Sequence, residues 1–163
     1  MSPNADHAAG AGALRAPRLS PLLRSAFEVL DHGLWHFLRS DTSPDMKFAI
    51  MHVDQAIELL LKERVRKGGK SVYKNPKETI SIWEAYKVLL DDLHVVIPEK
   101  PDLEMIHEER NTIQHKYANP SFEDTAFHVE KAVLFCRRFV KDELGLELSD
   151  YVSGEHLERI LPT

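Results

Sequence analysis

The sequence predicts an all-α protein, an antiparallel bundle of four or five helices. Apolar residues recur at helical spacing through most of the chain, and cap, proline and glycine signals divide it into segments of helix length. The one strand-like run, residues 95–97, is too short to form a sheet. With 163 residues and 43% hydrophobic content, the chain has the size of one domain. We expect a mobile tail over residues 1–18, the bundle over 19–145 and a C-terminal tail over 146–163.

The first two helices have clear start signals. Ser20 followed by Pro21 is an N-cap with proline at the first helical position, and it opens a helix that extends to about residue 38. The same kind of signal over residues 41–45 opens the second helix, and Gly68 with Gly69 ends it. Apolar residues cover more than one face of this second helix, so we expect it to be largely buried.

Three further helices complete the predicted bundle. The third is expected to start at Asn75-Pro76, because Glu78 can complete a capping box. The fourth is predicted over about residues 101–118, and the fifth starts at Ser121 and ends at Gly145. The tail after it carries a signal for a short helix following residue 153.

Charge and cysteine content exclude some classes of function. The formal net charge is −5 with both signs interspersed, which argues against a protein that coats nucleic acid, although a local basic cleft is compatible with it. The single cysteine, Cys136, fits a reducing compartment and falls in an apolar helical pattern, so we interpret it as a core residue and not a nucleophile. No window is apolar enough to span a membrane and no signal-peptide pattern begins the chain, so we expect a cytoplasmic protein without membrane partners.

Metal and cofactor signals are weak. His32 and His36 are four residues apart, a spacing that can chelate a metal from one helix face, but local spacing supplies no third ligand. HExxH, Walker A and dinucleotide-binding patterns are absent from the sequence, so we predict neither a metal nor a cofactor. The basic run from Lys62 to Lys70 has two interpretations, a solvated helix end or a surface that guides phosphates to a nearby site.

The segment from residue 110 to 117 combines a permanent cation, an amide and a group that titrates near neutral pH. On a helix, Arg110 and Tyr117 are about 20° apart and fall in the register of the buried seam, whereas Asn111 and His115 form a neighbouring pair. Because an unpaired buried charge is costly, Arg110 needs a partner or a function. One interpretation is structural: Arg110 pairs with a bundle carboxylate such as Glu58, and His115 caps the helix end.

The other interpretation is catalytic. Cleavage of RNA requires a base for the ribose 2′-hydroxyl, a cation for the charge that develops on phosphorus and an acid for the leaving oxygen. His115 can move protons at neutral pH, Arg110 can clamp a phosphate and Asn111 can orient either partner. One helix offers one such set, and a second histidine would most simply come from a two-fold related copy of the chain.

Residues 44–140 resemble the HEPN family, the helical domains named for higher eukaryotes and prokaryotes nucleotide-binding. The resemblance lies in "KFAIMHVDQAIELLLKERV" for the second helix and "IHEERNTIQHKY" for the fourth. HEPN ribonucleases carry Arg, four to six residues and then His, often with a polar residue directly after the Arg, which Arg110, Asn111 and His115 match. The stretches 68–73 and 78–81 also resemble stand-alone HEPN proteins.

This resemblance implies a metal-independent endoribonuclease that acts on RNA as a homodimer with a composite site. Tyr117 matches the Arg-x4-His-x-Tyr version of HEPN toxins, in which a nucleotidyltransferase partner can modify the tyrosine with AMP and silence the toxin. A toxin or defence role with such an antitoxin is therefore expected. The alternative is a non-catalytic HEPN-like module that binds a nucleotide or a protein.

Overall fold

The computed structural model describes residues 18–39 and 42–162, and 73% of it is helical. The predicted all-α bundle is confirmed. Most of the expected N-terminal tail, residues 1–17, lies outside the described residues. Among the helices described, none is long and apolar enough to cross a membrane. The elements in chain order are α1 (Pro21–Arg39), α2 (Ser43–Lys67), β1 (Tyr73–Asn75), β2 (Glu78–Thr79), α3 (Ile82–Asp91), α4 (Lys100–Lys116), α5 (Phe122–Leu144), a 3-10 turn (Leu148–Asp150) and α6 (Gly154–Ile160).

Helix α2 is the centre of the bundle. It packs against α1, α3, α4 and α5, and most of its apolar residues are buried. Ile50, Val53, Ile57, Leu60 and Leu61 are all fully buried. This agrees with apolar residues that cover more than one helix face.

Capping residues set the helix ends. The Ser121 hydroxyl accepts a hydrogen bond from the Asp124 amide at 3.0 Å and opens α5. Gly145 ends α5 with φ +67, a left-handed conformation that glycine adopts without strain. Cys136 lies inside α5 and is fully buried. Burial raises the pKa of its thiol to about 12, which makes Cys136 a poor nucleophile.

The predicted start of the third helix is wrong. Residues 73–79 form a short antiparallel hairpin, and Asn75 and Pro76 lie in its turn. The Asn75 side chain accepts a hydrogen bond from the Lys77 amide at 3.0 Å, a contact that stabilises a turn as readily as a helix start. The helix begins after Ser81, where Ser81 and Glu84 form a reciprocal capping box.

The segment after Gly145 is packed onto the bundle. Leu148 and Val152 are buried, and the Tyr151 ring stacks on Phe27 of α1 at 4.9 Å. The short helix α6 begins directly after residue 153 and contacts α1 and α5. These contacts cover apolar surface of α1 and α5 that a five-helix bundle would leave open.

Candidate functional site

The predicted site segment occupies the last two turns of α4. Leu103, Ile106 and Ile113 are the buried residues of this helix, and they hold it against the bundle. Arg110 follows the same register, but its long side chain remains 33% exposed. The guanidinium therefore lies between the bundle interior and solvent.

The partner of Arg110 inside the bundle is Asp54 of α2. The Arg110 Nε lies 3.8 Å from Asp54 Oδ2, and Nη1 donates a hydrogen bond to Asn111 Oδ1 at 3.1 Å. Glu58, the carboxylate expected to pair with Arg110, instead forms an ion pair with Lys62 at 2.8 Å. Asp54 and Glu58 are four residues apart on α2, so both face the same side of this helix but lie one turn apart along it. Arg110 of α4 lies beside the turn that carries Asp54.

Asp54 also accepts a hydrogen bond from His107. The Nδ1 atom of His107 lies 3.1 Å from both carboxylate oxygens, and the Asp54 side chain is only 3% exposed. Burial raises the pKa of Asp54, while His107 and Arg110 act in the opposite direction. The Trp83 and His107 rings pack edge to face, with their centroids 5.7 Å apart. One carboxylate thus fixes two side chains of α4 that are three residues apart.

Tyr86 completes the polar surroundings of Asp54. Its side chain is buried, and its hydroxyl has no hydrogen-bond partner among the described residues. Burial, followed by the charge of Asp54, raises the pKa of Tyr86. The hydroxyl therefore stays protonated and cannot serve as a base at neutral pH.

Asn111 and His115 line one open cleft of about 420 Å³ on the outer side of α4. The other residues that line it are His128 of α5 and, from α4, Met105, Glu108, Glu109, Thr112 and Lys116. The helical spacing of four residues explains why Asn111 and His115 share this surface. His115 is exposed, so its imidazole is accessible to a ligand.

His128 is a histidine that the sequence did not single out. It is 7% exposed, and its Nδ1 is buried without a partner among the described residues. Burial lowers the pKa of His128, against smaller opposite effects of Glu109 and Asp124. A neutral imidazole can act as a proton acceptor at neutral pH. One chain thus places two histidines, His115 and His128, on the same cleft.

Tyr117 departs from the register expected for it. Helix α4 ends at Lys116, and Tyr117 is the C-cap with φ +56, in the left-handed region. The chain turns away there, and Tyr117 is 86% exposed instead of lying on the seam with Arg110. A helical wheel cannot place a side chain beyond the last helical residue. The tyrosine hydroxyl is consequently open to solvent.

The basic run at the end of α2 is mostly engaged in ion pairs within the bundle. Arg64 binds Glu143 of α5 at 2.9 Å, and Lys67 donates to the Glu143 backbone carbonyl at 3.2 Å. Arg66 binds Glu63 at 2.7 Å. The contacts of Arg64 and Lys67 tie the end of α2 to α5. They favour the structural interpretation of the run over a surface that guides phosphates.

The side chains suited to a metal lie elsewhere. His52 of α2 joins His32 and His36 of α1, so that one nitrogen of each lies within 4.8 Å of the others. Local spacing indicated only the α1 pair, and no metal site was predicted from the sequence. The third histidine comes from another helix, which sequence distance cannot reveal.

The chain was compared with family models, with curated proteins and with solved structures. None of the three comparisons found a match.

Proposed function

We propose that the protein is a metal-independent endoribonuclease of the HEPN type that acts as a homodimer. The observation that carries this proposal is the arrangement of the motif side chains. Asn111 and His115 line one cleft, and Arg110 donates a hydrogen bond to Asn111. A cation, an amide and an imidazole are therefore adjacent on an accessible surface, as the chemistry of RNA cleavage requires.

In the proposed reaction, the ribose 2′-oxygen attacks the adjacent phosphorus as its proton passes to a base. A 2′,3′-cyclic phosphate forms, the bond to the 5′-oxygen breaks, and that oxygen leaves with a proton from an acid. His115 moves one of these protons, and Asn111 orients the phosphate or the imidazole. Arg110 stabilises the charge on phosphorus, since none of the described residues accepts a hydrogen bond from its Nη2.

The reaction requires two proton-transfer groups, and one imidazole fills one role at a time. In a homodimer, the second imidazole is His115 of the other copy. His128 offers an alternative within the same chain, because it borders the same cleft. Mixing equal amounts of wild-type and His115→Ala chains, with exchange of subunits, separates these arrangements. A site that needs His115 of both subunits leaves about a quarter of the wild-type rate in the mixture, whereas a site within one chain leaves about half.

A toxin or defence role is part of the proposal, with a nucleotidyltransferase antitoxin as the partner. Tyr117 supports it because its side chain is 86% exposed and lies two residues after His115. Transfer of AMP to this hydroxyl would place a bulky anion beside the cleft and repel the phosphates of RNA. The expected outcome is loss of RNA cleavage after modification, and Tyr117→Phe should resist this loss.

The direct experiment is incubation of the purified protein with an RNA oligonucleotide in the presence of EDTA. We expect cleavage that leaves 2′,3′-cyclic phosphate and 5′-hydroxyl ends, and no cleavage of the matching DNA. An oligonucleotide with a 2′-deoxy nucleotide on the 5′ side of the scissile phosphate should resist cleavage at that bond. An inactive protein, or equal cleavage of DNA, would refute the proposal.

The second candidate function is a non-catalytic HEPN-like module that binds a nucleotide or a protein. The observation that favours it is the engagement of Arg110 within the chain, by the charge of Asp54 and by the hydrogen bond to Asn111. In this case the protein binds a nucleotide or a partner through the same cleft without cleaving RNA. Nucleotide binding that is lost in Asn111→Ala, from a protein inactive on RNA, would support this second function.

A further inference from the structure

Three histidine side chains converge where α1 packs on α2. His32 and His36 are four residues apart and share one face of α1, and His52 comes from α2. The ring centroids are 4.6 Å apart for His32 and His36 and 4.8 Å apart for His32 and His52. His52 and Asp54 are two residues apart on a helix, so they point about 200° apart. The cluster therefore lies on a different side of α2 from Asp54, which contacts the helix that carries the proposed cleavage site.

A glycine allows the two helices to approach closely at this point. Gly33 follows His32 in α1, and a Cβ built on it would lie 2.9 Å from the Cβ of His52 and 3.4 Å from the Ala49 carbonyl oxygen. Any larger residue would push α2 away. The close approach brings the ring of His52 to the pair on α1.

A buried carboxylate orients one of the three rings. The Nδ1 atom of His36 lies 2.9 Å from Oδ1 of Asp45, which is 6% exposed. The other oxygen of Asp45 accepts a hydrogen bond from Thr42 at 3.1 Å. When Nδ1–H donates to Asp45, the lone pair of His36 is on Nε2. Histidines that bind metals in proteins are held by carboxylates in this way.

Two aromatic side chains restrict the rings further. Trp35 stacks against His32 at 5.7 Å, and Phe48 packs against His36 at 5.1 Å. Packing of this kind limits ring rotation, so less conformational entropy is lost when a ligand binds. The exposed side of His32 leaves the cluster accessible from solvent.

We propose that His32, His36 and His52 bind one Zn²⁺ ion, with a fourth position for water or another ligand. Tetrahedral zinc with Zn–N distances of about 2.0–2.1 Å requires nitrogens about 3.4 Å apart. The ligand atoms lie within 4.8 Å of one another, so side-chain rotation has to close at most about 1.4 Å. Neutral imidazoles suit Zn²⁺, and Mg²⁺, which prefers oxygen ligands, should not bind. This inference is independent of the proposed nuclease, which acts in EDTA.

The test is calorimetric titration of the tag-free, EDTA-treated and desalted protein with Zn²⁺. We expect one Zn²⁺ per chain in the wild type and a loss of this binding in His32→Ala. His32 is exposed, so this variant keeps the packing of the bundle. His94→Asn is the matched control, because His94 is exposed, lies outside the cluster and has φ 55, which asparagine tolerates. It should bind Zn²⁺ like the wild type.

Two further measurements test the geometry. Asp45→Asn should weaken Zn²⁺ binding by about 10- to 100-fold, because Asp45 orients His36 without touching the metal. Co²⁺ in place of Zn²⁺ should give the intense visible absorption of a four-coordinate ion. Equal affinity for Zn²⁺ in His32→Ala and in the wild type would overturn the proposal. So would a wild type that takes up no stoichiometric Zn²⁺, or one that binds Ni²⁺ or Cu²⁺ but not Zn²⁺.

Discussion

The guanidinium of Arg110 lies 3.8 Å from the carboxylate of Asp54, which is buried in the centre of the bundle. The same carboxylate accepts a hydrogen bond from the Nδ1 of His107 at 3.1 Å. Asp54 therefore joins the central helix α2 to the helix that carries the proposed cleavage motif. Because the Nε of Arg110 lies beside this carboxylate, the position of the guanidinium next to Asn111 depends on a residue that does not line the cleft.

Replacement of Asp54 by alanine should lower the free energy of unfolding. The variant leaves His107 without its acceptor and Arg110 without its buried counter-charge, and an unsatisfied group of this kind costs about 1–3 kcal/mol. Urea unfolding measures the change. The matched control is Glu104→Ala on α4, which removes a surface ion pair with Lys100 at 3.7 Å and should change stability by less than about 0.5 kcal/mol. Equal effects in the two variants would contradict the role of Asp54.

Replacement of Tyr86 by phenylalanine should leave the free energy of unfolding unchanged or raise it by up to about 1 kcal/mol. The buried hydroxyl has no partner among the described residues, so the variant removes an unsatisfied polar group. The ring remains, and with it the contact with the Lys100 ammonium at 5.1 Å from the ring centroid. Urea unfolding of wild type and variant gives the answer. A loss of more than about 1 kcal/mol would reveal a hydrogen-bond partner such as a buried water.

Acidification below about pH 6.5 should destabilise the protein, in part through His128. Burial lowers the pKa of His128 in the folded state, so the unfolded state binds the proton more readily. The stabilisation is complete above the unfolded pKa of about 6.5 and is lost as the pH falls from there through the folded pKa. The pKa of His52 is lowered as well, first by burial and then by His32 and His36, and acts in the same direction.

The measurement is urea unfolding of wild type and His128→Phe at about pH 8 and about pH 5. Between about pH 8 and about pH 5 the free energy of unfolding should fall less in the variant than in the wild type. The part of this fall that is due to His52 should remain in both proteins. No hydrogen bond of Nδ1 is lost, because this atom has no partner among the described residues. An unchanged pH dependence would show that His128 does not titrate differently in the folded and unfolded states.

The helices were largely predictable because their caps are local signals. Serine or threonine caps set the starts of α1, α2 and α5, and a glycine sets the ends of α2 and α5, all within a few residues. The start of the third helix was predicted wrongly because a helix start and a tight turn use the same residues, here Asn75-Pro76-Lys77-Glu78. Only the pairing of β1 with β2, a contact between segments, distinguishes them.

The candidate site was predictable in part. Helical spacing of four placed Asn111 and His115 on one surface, and the structure has both on one cleft. Whether Arg110 pairs with Asp54 or with Glu58 depends on where α4 lies along the axis of α2. The spacing of apolar residues does not give this position. The same applies to His128, which joins the cleft from α5 across the bundle. Residues from different helices meet through tertiary packing, and a single sequence carries no direct signal for that.

The measurement that tests the proposed nuclease most directly is RNA cleavage in EDTA by His115→Ala compared with Gln114→Ala. Both residues are exposed on the last turn of α4, but Gln114 does not line the cleft, so the pair separates chemistry from helix stability. We expect His115→Ala to cleave about 10²- to 10⁴-fold more slowly than the wild type, as for loss of a general acid–base group, and Gln114→Ala to retain the wild-type rate. Equal rates in the two variants would contradict the assignment of His115 as a catalytic residue.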